Sequence, residues 1–243
     1  MEDAMSDFSN EPMVPESRPT SIFQTWITAL TKPNEQTYAT LAASPEANAN
    51  KAYLWMFIAA LLNFFFATLV QGAIMRNTFQ QFGGDSSFLS NGFGGGIIAA
   101  ICGAPIGAVI YVLFFAITTA IVQWVAKMFS GRGTYNQLAY TFGAILAPYM
   151  LISSVLTLLS AIPFVGLCFS AIAAIAGIYI LVLEIMAVKG VNQFGWGAAA
   201  GSLLIPVFVI VFLCACIVGV TLALLGPVIG NVFSTINQSV GGF

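Results

Sequence analysis

Five long apolar runs alternate with short polar segments along most of the chain, and each run predicts a membrane-spanning helix. A helix needs about 20 consecutive apolar residues to cross the hydrocarbon core of a bilayer. The predicted spans cover residues 52–74, 105–128, 138–161, 164–188 and 197–225. We therefore predict an all-α, polytopic membrane bundle with five transmembrane helices over residues 52–226, followed by a short outer tail, 227–243. An odd number of spans places the two termini on opposite sides of the membrane.

The second apolar run has an irregular start. It covers residues 95–129, and Lys127 is its only charged residue. At about 1.5 Å per residue, such a run is too long for one upright helix and too short for two helices with a turn. Gly103 and Pro105 interrupt its first part. We therefore predict one span over residues 105–128, preceded by an interfacial or partly re-entrant stretch.

The first 51 residues are more polar and contain no predicted span. Residues 1–20 are acidic and include three prolines, a composition that predicts a disordered tail. The alternative for this tail is a docking segment for a soluble partner. Residues 21–51 predict cytoplasmic helices of amphipathic or interfacial character, the second of which runs from Pro33 to Pro45.

Residues 21–31 form the predicted amphipathic helix. Ser21 and Gln24 have the spacing of a capping box, and Pro33 ends the helix. Five apolar side chains fall within an arc of about 140° on the helical wheel: Ile22, Phe23, Trp26, Ile27 and Leu30. Such a face suits either a membrane interface or packing on the helical bundle, and the pattern leaves both open.

Charge is scarce and unevenly placed. The chain has seven basic and nine acidic residues, 7% of its length, whereas soluble domains average about 25%. This composition excludes an ordinary water-soluble globule. The net charge of −2 and the lack of a basic patch also disfavour a nucleic-acid partner.

The basic residues predict the orientation. With the N-terminus in the cytoplasm, only Arg76 lies on the outer side, and the other six lie inside: Arg18, Lys32, Lys51, Lys127, Arg132 and Lys189. Loops rich in Lys and Arg stay in the cytoplasm. We therefore predict an N-in, C-out topology.

Residues that could carry chemistry are few. The chain has no histidine, which excludes Ser-His-Asp and Cys-His catalysis, and we predict no catalytic site, cofactor or metal. Glu184 is the one acidic residue inside a predicted span, and such residues often have a function. Three roles remain open: a structural or interfacial group that pairs with Lys127 or Arg132, a proton- or ion-handling group, or a partner contact.

Three sequence stretches together resemble a known family. The first begins at Trp26-x3-Leu30. The second begins at Gly131-Arg132-Gly133 and leads on to Tyr140 and Pro148. The third begins at Lys189-Gly190. In this combination the chain resembles the Yip family, named for proteins that interact with Ypt/Rab GTPases, and especially its shorter prokaryotic members. The resemblance implies five spans, a cytoplasmic N-terminus and a short outer C-terminus. For eukaryotic members it implies Rab binding and a role in vesicle traffic or membrane shaping.

The leading hypothesis is a non-enzymatic integral membrane scaffold that organises membrane lipids, or a membrane-protein or cytoplasmic partner. It would lie in the cytoplasmic membrane of a prokaryote or in the ER or Golgi membrane of a eukaryote. The candidate functional residues are Trp26, Ile27, Gly131, Arg132, Gly133, Tyr140, Pro148 and Glu184. One alternative is a small transporter or channel that uses Glu184 and proline-kinked spans. Another is an accessory subunit of a larger membrane complex.

Overall fold

The computed structural model of the chain describes residues 21–81, 97–160 and 165–240, and every helix or strand assigned within these ranges is an α-helix. The helices are α1 (Ile22–Thr31), α2 (Glu35–Ala43), α3 (Ala49–Gln81), α4 (Ile97–Met128), α5 (Tyr135–Ser160), α6 (Val165–Asn192) and α7 (Trp196–Val240). The predicted tail, 1–20, and the predicted turn at 162–163 lie outside the described residues.

Five of these helices are long and apolar enough to cross a membrane. Their apolar stretches are Ala49–Gly72, Ala100–Met128, Tyr135–Leu159, Ala171–Asn192 and Trp196–Ala223. The prediction of an all-α bundle with five spans is therefore confirmed.

The start of the second span differs from the prediction. The stretch ahead of Pro105 is helical from Ile97 onward, and α4 continues through Pro105 without a break. Pro105 removes one backbone hydrogen bond. In lipid the helix still satisfies all the other backbone groups, and neighbouring helices tolerate such a proline. The expectation of an irregular stretch over residues 97–104 was therefore wrong.

Two other helices extend beyond their predicted ends. α3 continues past Ile74 to Gln81. α7 continues past Leu225 to Val240, so most of the predicted C-terminal tail is helical. Hydropathy predicts where a helix leaves the hydrocarbon core, but a helix ends only where its backbone is capped or broken.

The bundle is built around α3, which packs along α4 and α5, while α6 packs along α5. The closest approach is at Gly143 of α5, where an added Cβ would lie 2.8 Å from the Cβ of Ala52. Only a glycine allows these two helices to come so close. Met56, Leu138 and Ile145 fill the buried core beside this crossing.

α1 and α2 begin at capping side chains. The backbone N–H of Gln24 donates to the Ser21 Oγ at 3.3 Å, as the sequence predicts. α2 begins two residues later than predicted, because Asn34 caps it by accepting from the backbone N–H of Gln36 at 3.2 Å. Asn is among the strongest N-cap residues.

Candidate functional site

An aromatic cluster attaches α1 to the bundle. The ring of Trp26 meets that of Trp55 of α3 edge to face, with centroids 5.8 Å apart. Trp55 also contacts Tyr140 of α5, with centroids 5.1 Å apart, and both residues are buried. The Tyr140 hydroxyl shares a hydrogen bond with the Thr25 side chain. Two of the predicted functional residues, Trp26 and Tyr140, therefore meet in one cluster that holds α1.

The apolar arc of α1 divides into two parts. Trp26 and Leu30 pack on the core. Ile22, Phe23 and Ile27 are 49%, 71% and 60% exposed, and we call these three residues the exposed strip. One side of the arc thus packs on the bundle, and the other side faces outward.

α1 lies beside the spans rather than beyond their ends. The Tyr179 hydroxyl of α6 donates to the backbone carbonyl of Leu30 at 2.6 Å, and Tyr179 lies several turns before α6 ends at Asn192. Tyr140, which contacts the other part of α1, lies in the second turn of α5. Both partners are within apolar stretches long enough to cross a membrane. The exposed strip is therefore placed alongside helices that are long and apolar enough to cross a membrane.

α2 fixes the position of α1 on the bundle. The hydroxyl of Tyr38 donates to the backbone carbonyl of Ala29 at 2.8 Å, and Tyr38 is fully buried. An added Cβ at Gly190 of α6 would lie 2.5 Å from the Glu35 carbonyl oxygen, so the two backbones touch there. Burial raises the pKa of the Tyr38 hydroxyl, and the nearby Tyr179 raises it further.

One ion pair accompanies this contact. The Lys189 Nζ donates to the Glu35 carboxylate and also lies 4.6 Å from the ring centroid of Trp196. The Glu35 side chain is 44% exposed. Exposed ion pairs contribute little to stability, so the close packing at Gly190 is the stronger constraint on α2.

A polar groove separates α1 from α2. Its volume is about 380 Å³, and its lining includes Gln24, Thr28, Lys32, Gln36 and Thr40. These residues belong to the polar side of α1 and the facing side of α2. The pair of helices thus carries a hydrogen-bonding groove on one side and the exposed strip on another.

The Gly131-Arg132-Gly133 segment is a tightly packed loop between α4 and α5. An added Cβ at Gly131 would lie 2.6 Å from the Asn192 Oδ1, and one at Gly133 would lie 2.6 Å from the Val191 Cγ1. The backbone N–H of Arg132 donates to the Asn192 carbonyl at 3.1 Å. Both glycines therefore let the loop close over the end of α6.

A buried amide pair holds this loop, and the sequence analysis missed it. The Gln123 Nε2 donates to the Gly133 carbonyl at 2.7 Å and to the Asn192 Oδ1 at 3.1 Å. The Asn192 Nδ2 donates to the Val188 carbonyl at 3.1 Å. The available signal was an amide side chain inside an apolar run, since a buried amide needs hydrogen-bond partners.

The remaining two residues of the motif lie apart from the aromatic cluster. The side chain of Arg132 is exposed on the loop, and Pro148 is buried within α5. Pro148 has no backbone N–H, so the Ala144 carbonyl lacks its usual helical donor.

Glu184 lines a cavity inside the bundle. The cavity has a volume of about 160 Å³, and its walls come from α4, α5, α6 and α7. Among the described residues no cation lies within ion-pair distance of Glu184, while Lys127 and Arg132 are exposed. The anticipated pairing of Glu184 with Lys127 or Arg132 is therefore not found.

Thr119 of α4 also lines this cavity. Thr119 is 1% exposed, and its Oγ1 has no hydrogen-bond partner in the described protein. Such buried polar atoms are uncommon in native structures. Across the ranges that the structure describes, no group of three His, Cys, Asp or Glu side chains could hold a metal ion.

Comparison with known proteins identifies one family. The family model described as the Yip1 domain matches residues 27–234. No curated protein and no solved structure matches the chain. The match covers α2 to α6 completely, the second half of α1 and all but the end of α7. With five membrane-spanning helices and this match over most of its length, the chain belongs to the Yip1 domain family.

Proposed function

We propose that this protein is a non-enzymatic organiser of the membrane that inserts α1 into one leaflet beside its own spans. The observation that carries the proposal is the exposed strip on a helix that the bundle holds at the level of the apolar spans. Three large apolar side chains on one short helix are unfavourable in water. Lipid would cover these side chains and remove them from water.

Insertion of the exposed strip into lipid is favourable, and it expands one leaflet only. Each of the three side chains gains roughly 1.5–3 kcal/mol when it is fully removed from water. Amphipathic helices of this kind lie in the membrane interface and respond to curvature. Because α1 is attached to one end of the bundle, it adds volume to one leaflet only. We infer that the added volume is on the cytoplasmic side, where the distribution of basic residues predicts the N-terminus.

The groove between α1 and α2 provides the second part of this proposal. Its glutamines, threonines and Lys32 suit hydrogen bonding to a polar cytoplasmic protein partner. A membrane organiser of this kind would act in the cytoplasmic membrane of a prokaryote or the ER or Golgi membrane of a eukaryote. The lipid surface remains the primary partner, because the exposed strip is apolar.

Matched aspartate pairs test the role of α1. The variant Phe23→Asp with Ile27→Asp places two charges in the exposed strip. The control, Gln24→Asp with Thr28→Asp, places two charges on the adjacent polar side. Each protein is reconstituted into liposomes of one lipid composition, and vesicle diameters are measured by electron cryomicroscopy.

The expected result is smaller, more curved vesicles with the natural protein and the control, and larger vesicles with the strip variant. Equal diameters for the natural protein and the strip variant, at equal protein content, would overturn the proposal. Detergent-purified variants are checked for an unchanged helix content. All four positions have at least partly exposed side chains, so the bundle is expected to fold in each variant.

A further inference from the structure

The Glu184 cavity has features of a ligand site that the proposed membrane role does not use. We propose that it binds small lipophilic amines that enter from the bilayer, with the ammonium group paired with Glu184 beside Thr119. This proposal stands independently of α1. It rests on the placement of the carboxyl group, an unpartnered hydroxyl and the surrounding apolar wall.

The cavity residues of α4, α6 and α7 lie at similar distances from one end of their helices. Glu184 lies about 12 Å along α6 from its end at Asn192, and Thr119 lies about 13 Å along α4 from Met128, at 1.5 Å per residue. Pro206 lies about 15 Å along α7 from Trp196. The cavity therefore lies within the apolar stretches of these helices.

The polar groups of the cavity are acidic or hydroxylic. Glu184 has no ion pair among the described residues, and the Thr119 Oγ1 has no partner there. Tyr111 of α4 is a titratable side chain near Glu184. Glu184 is partly buried, and a carboxylate in such surroundings is stabilised by a paired cation. An ammonium group supplies the charge and donates hydrogen bonds to both oxygens.

The rest of the cavity wall favours a ligand whose main part is apolar. It is largely apolar and includes Phe115, Phe142, Leu146 and Leu203. A metal cation would require about six oxygen ligands, and the wall offers few. The volume of about 160 Å³ is some ten times the minimum for one water. A small apolar body with one amine therefore fits the wall better than an inorganic ion.

The entrance faces the bilayer. Thr118 of α4 and Val207 and Ile210 of α7 line the cavity and are exposed on the bundle surface. At this depth the surroundings are hydrocarbon. An amine crosses hydrocarbon in its neutral form, accepts the carboxyl proton of Glu184, and becomes an ammonium paired with the carboxylate. No bond other than that to the proton is broken or formed.

The test uses phenethylamine and its neutral isostere, 2-phenylethanol. Binding is measured by titration calorimetry of the full chain in lipid nanodiscs, with empty nanodiscs to subtract partitioning into lipid. The variants are Glu184→Gln and Thr119→Val, which keep the volume of each side chain. Glu46→Gln, at a carboxyl group outside the spans, is the matched control.

Saturable binding of phenethylamine is expected in the natural protein and in Glu46→Gln, with at least about tenfold weaker binding in Glu184→Gln. Thr119→Val should weaken it to a smaller degree, and 2-phenylethanol should bind weakly to all of them. Equal binding of the two probes would overturn the proposal. Unchanged binding in Glu184→Gln, or no binding above empty nanodiscs, would overturn it as well.

Discussion

The ring of Trp26 packs edge to face on that of Trp55, with 5.8 Å between centroids, and this contact joins the short helix α1 to the first span. Trp55 in turn contacts Tyr140, so one aromatic cluster links three helices. The contact fixes which side of α1 faces the bundle. It thereby determines that Phe23 and Ile27 face away from it.

Trp26→Ala is expected to detach α1. Loss of this partly buried ring should cost about 2–3 kcal/mol, seen as roughly 30-fold or greater acceleration of hydrogen exchange at α1 amides. Trp26→Phe keeps an aromatic contact and removes an indole N–H that has no partner in the described protein, so it should cost less. Ile27→Ala, at a side chain that is 60% exposed, is the control. Similar exchange in all three variants would contradict the anchoring role of Trp26.

Gly131→Ala is expected to lower the stability of the bundle by about 2 kcal/mol. Its Cβ would lie 2.6 Å from the Asn192 Oδ1 and 2.8 Å from the Ala126 carbonyl oxygen. Gly195→Ala is the matched control, since a Cβ there meets nothing within 4 Å. Denaturant or thermal unfolding in detergent measures both. Equal stability of the two variants would contradict this prediction, because it would show that the loop accommodates the added Cβ without an energetic cost.

Alkaline pH is expected to release α2. Because the folded-state pKa of Tyr38 is raised above the ordinary value of about 10, its stabilising contribution is complete below pH 10. It is lost as the pH rises above 10, because the unfolded or detached state ionises first.

Tyr38→Phe tests this dependence. It removes the hydrogen bond to the Ala29 carbonyl, at a cost of about 1 kcal/mol, and also the titrating group. Hydrogen exchange of α2 between pH 9 and 11, corrected for the intrinsic rate, should accelerate in the natural protein and less in Tyr38→Phe. The same acceleration in both proteins would assign the effect to another group.

Sequence patterns predicted the spans and α1 well because both depend on local properties. The length of the apolar runs follows from the bilayer thickness. The Ser21 cap follows from the need of a helix start for a hydrogen-bonding side chain. The start of α4 was predicted wrongly, because Gly103 and Pro105 were interpreted as a break in the helix. The helix continues through both residues, since in lipid an unbroken helix satisfies nearly all of its backbone groups.

The candidate site was predicted only in part, because its contacts join distant parts of the chain. Tyr140 and the two loop glycines were selected, but their partners, Trp55 and Asn192, were not. The Glu35–Lys189 pair joins residues of α2 and α6, and no local pattern indicates it. Thr119 was missed because a threonine in an apolar run satisfies itself on its own helix in most cases.

The topology predicts opposite compartments for the two ends of the chain. A reporter active only in the cytoplasm should respond when fused before Met1 and remain silent when fused after Phe243. Six of the seven basic residues support this orientation. Responses from both fusions would mean an even number of crossings and would contradict the five-span bundle in the membrane.

The most direct measurement of the central claim is the depth of α1 in a bilayer. After Cys102, Cys168, Cys214 and Cys216 are replaced by alanine, nitroxide labels are placed at Phe23→Cys and, separately, at Gln24→Cys. Electron paramagnetic resonance then compares relaxation by oxygen, which concentrates in lipid, with relaxation by a water-soluble nickel chelate. The account predicts that the label at residue 23 responds to oxygen and the label at residue 24 to nickel. Strong relaxation of both labels by nickel would place α1 in water and contradict the account.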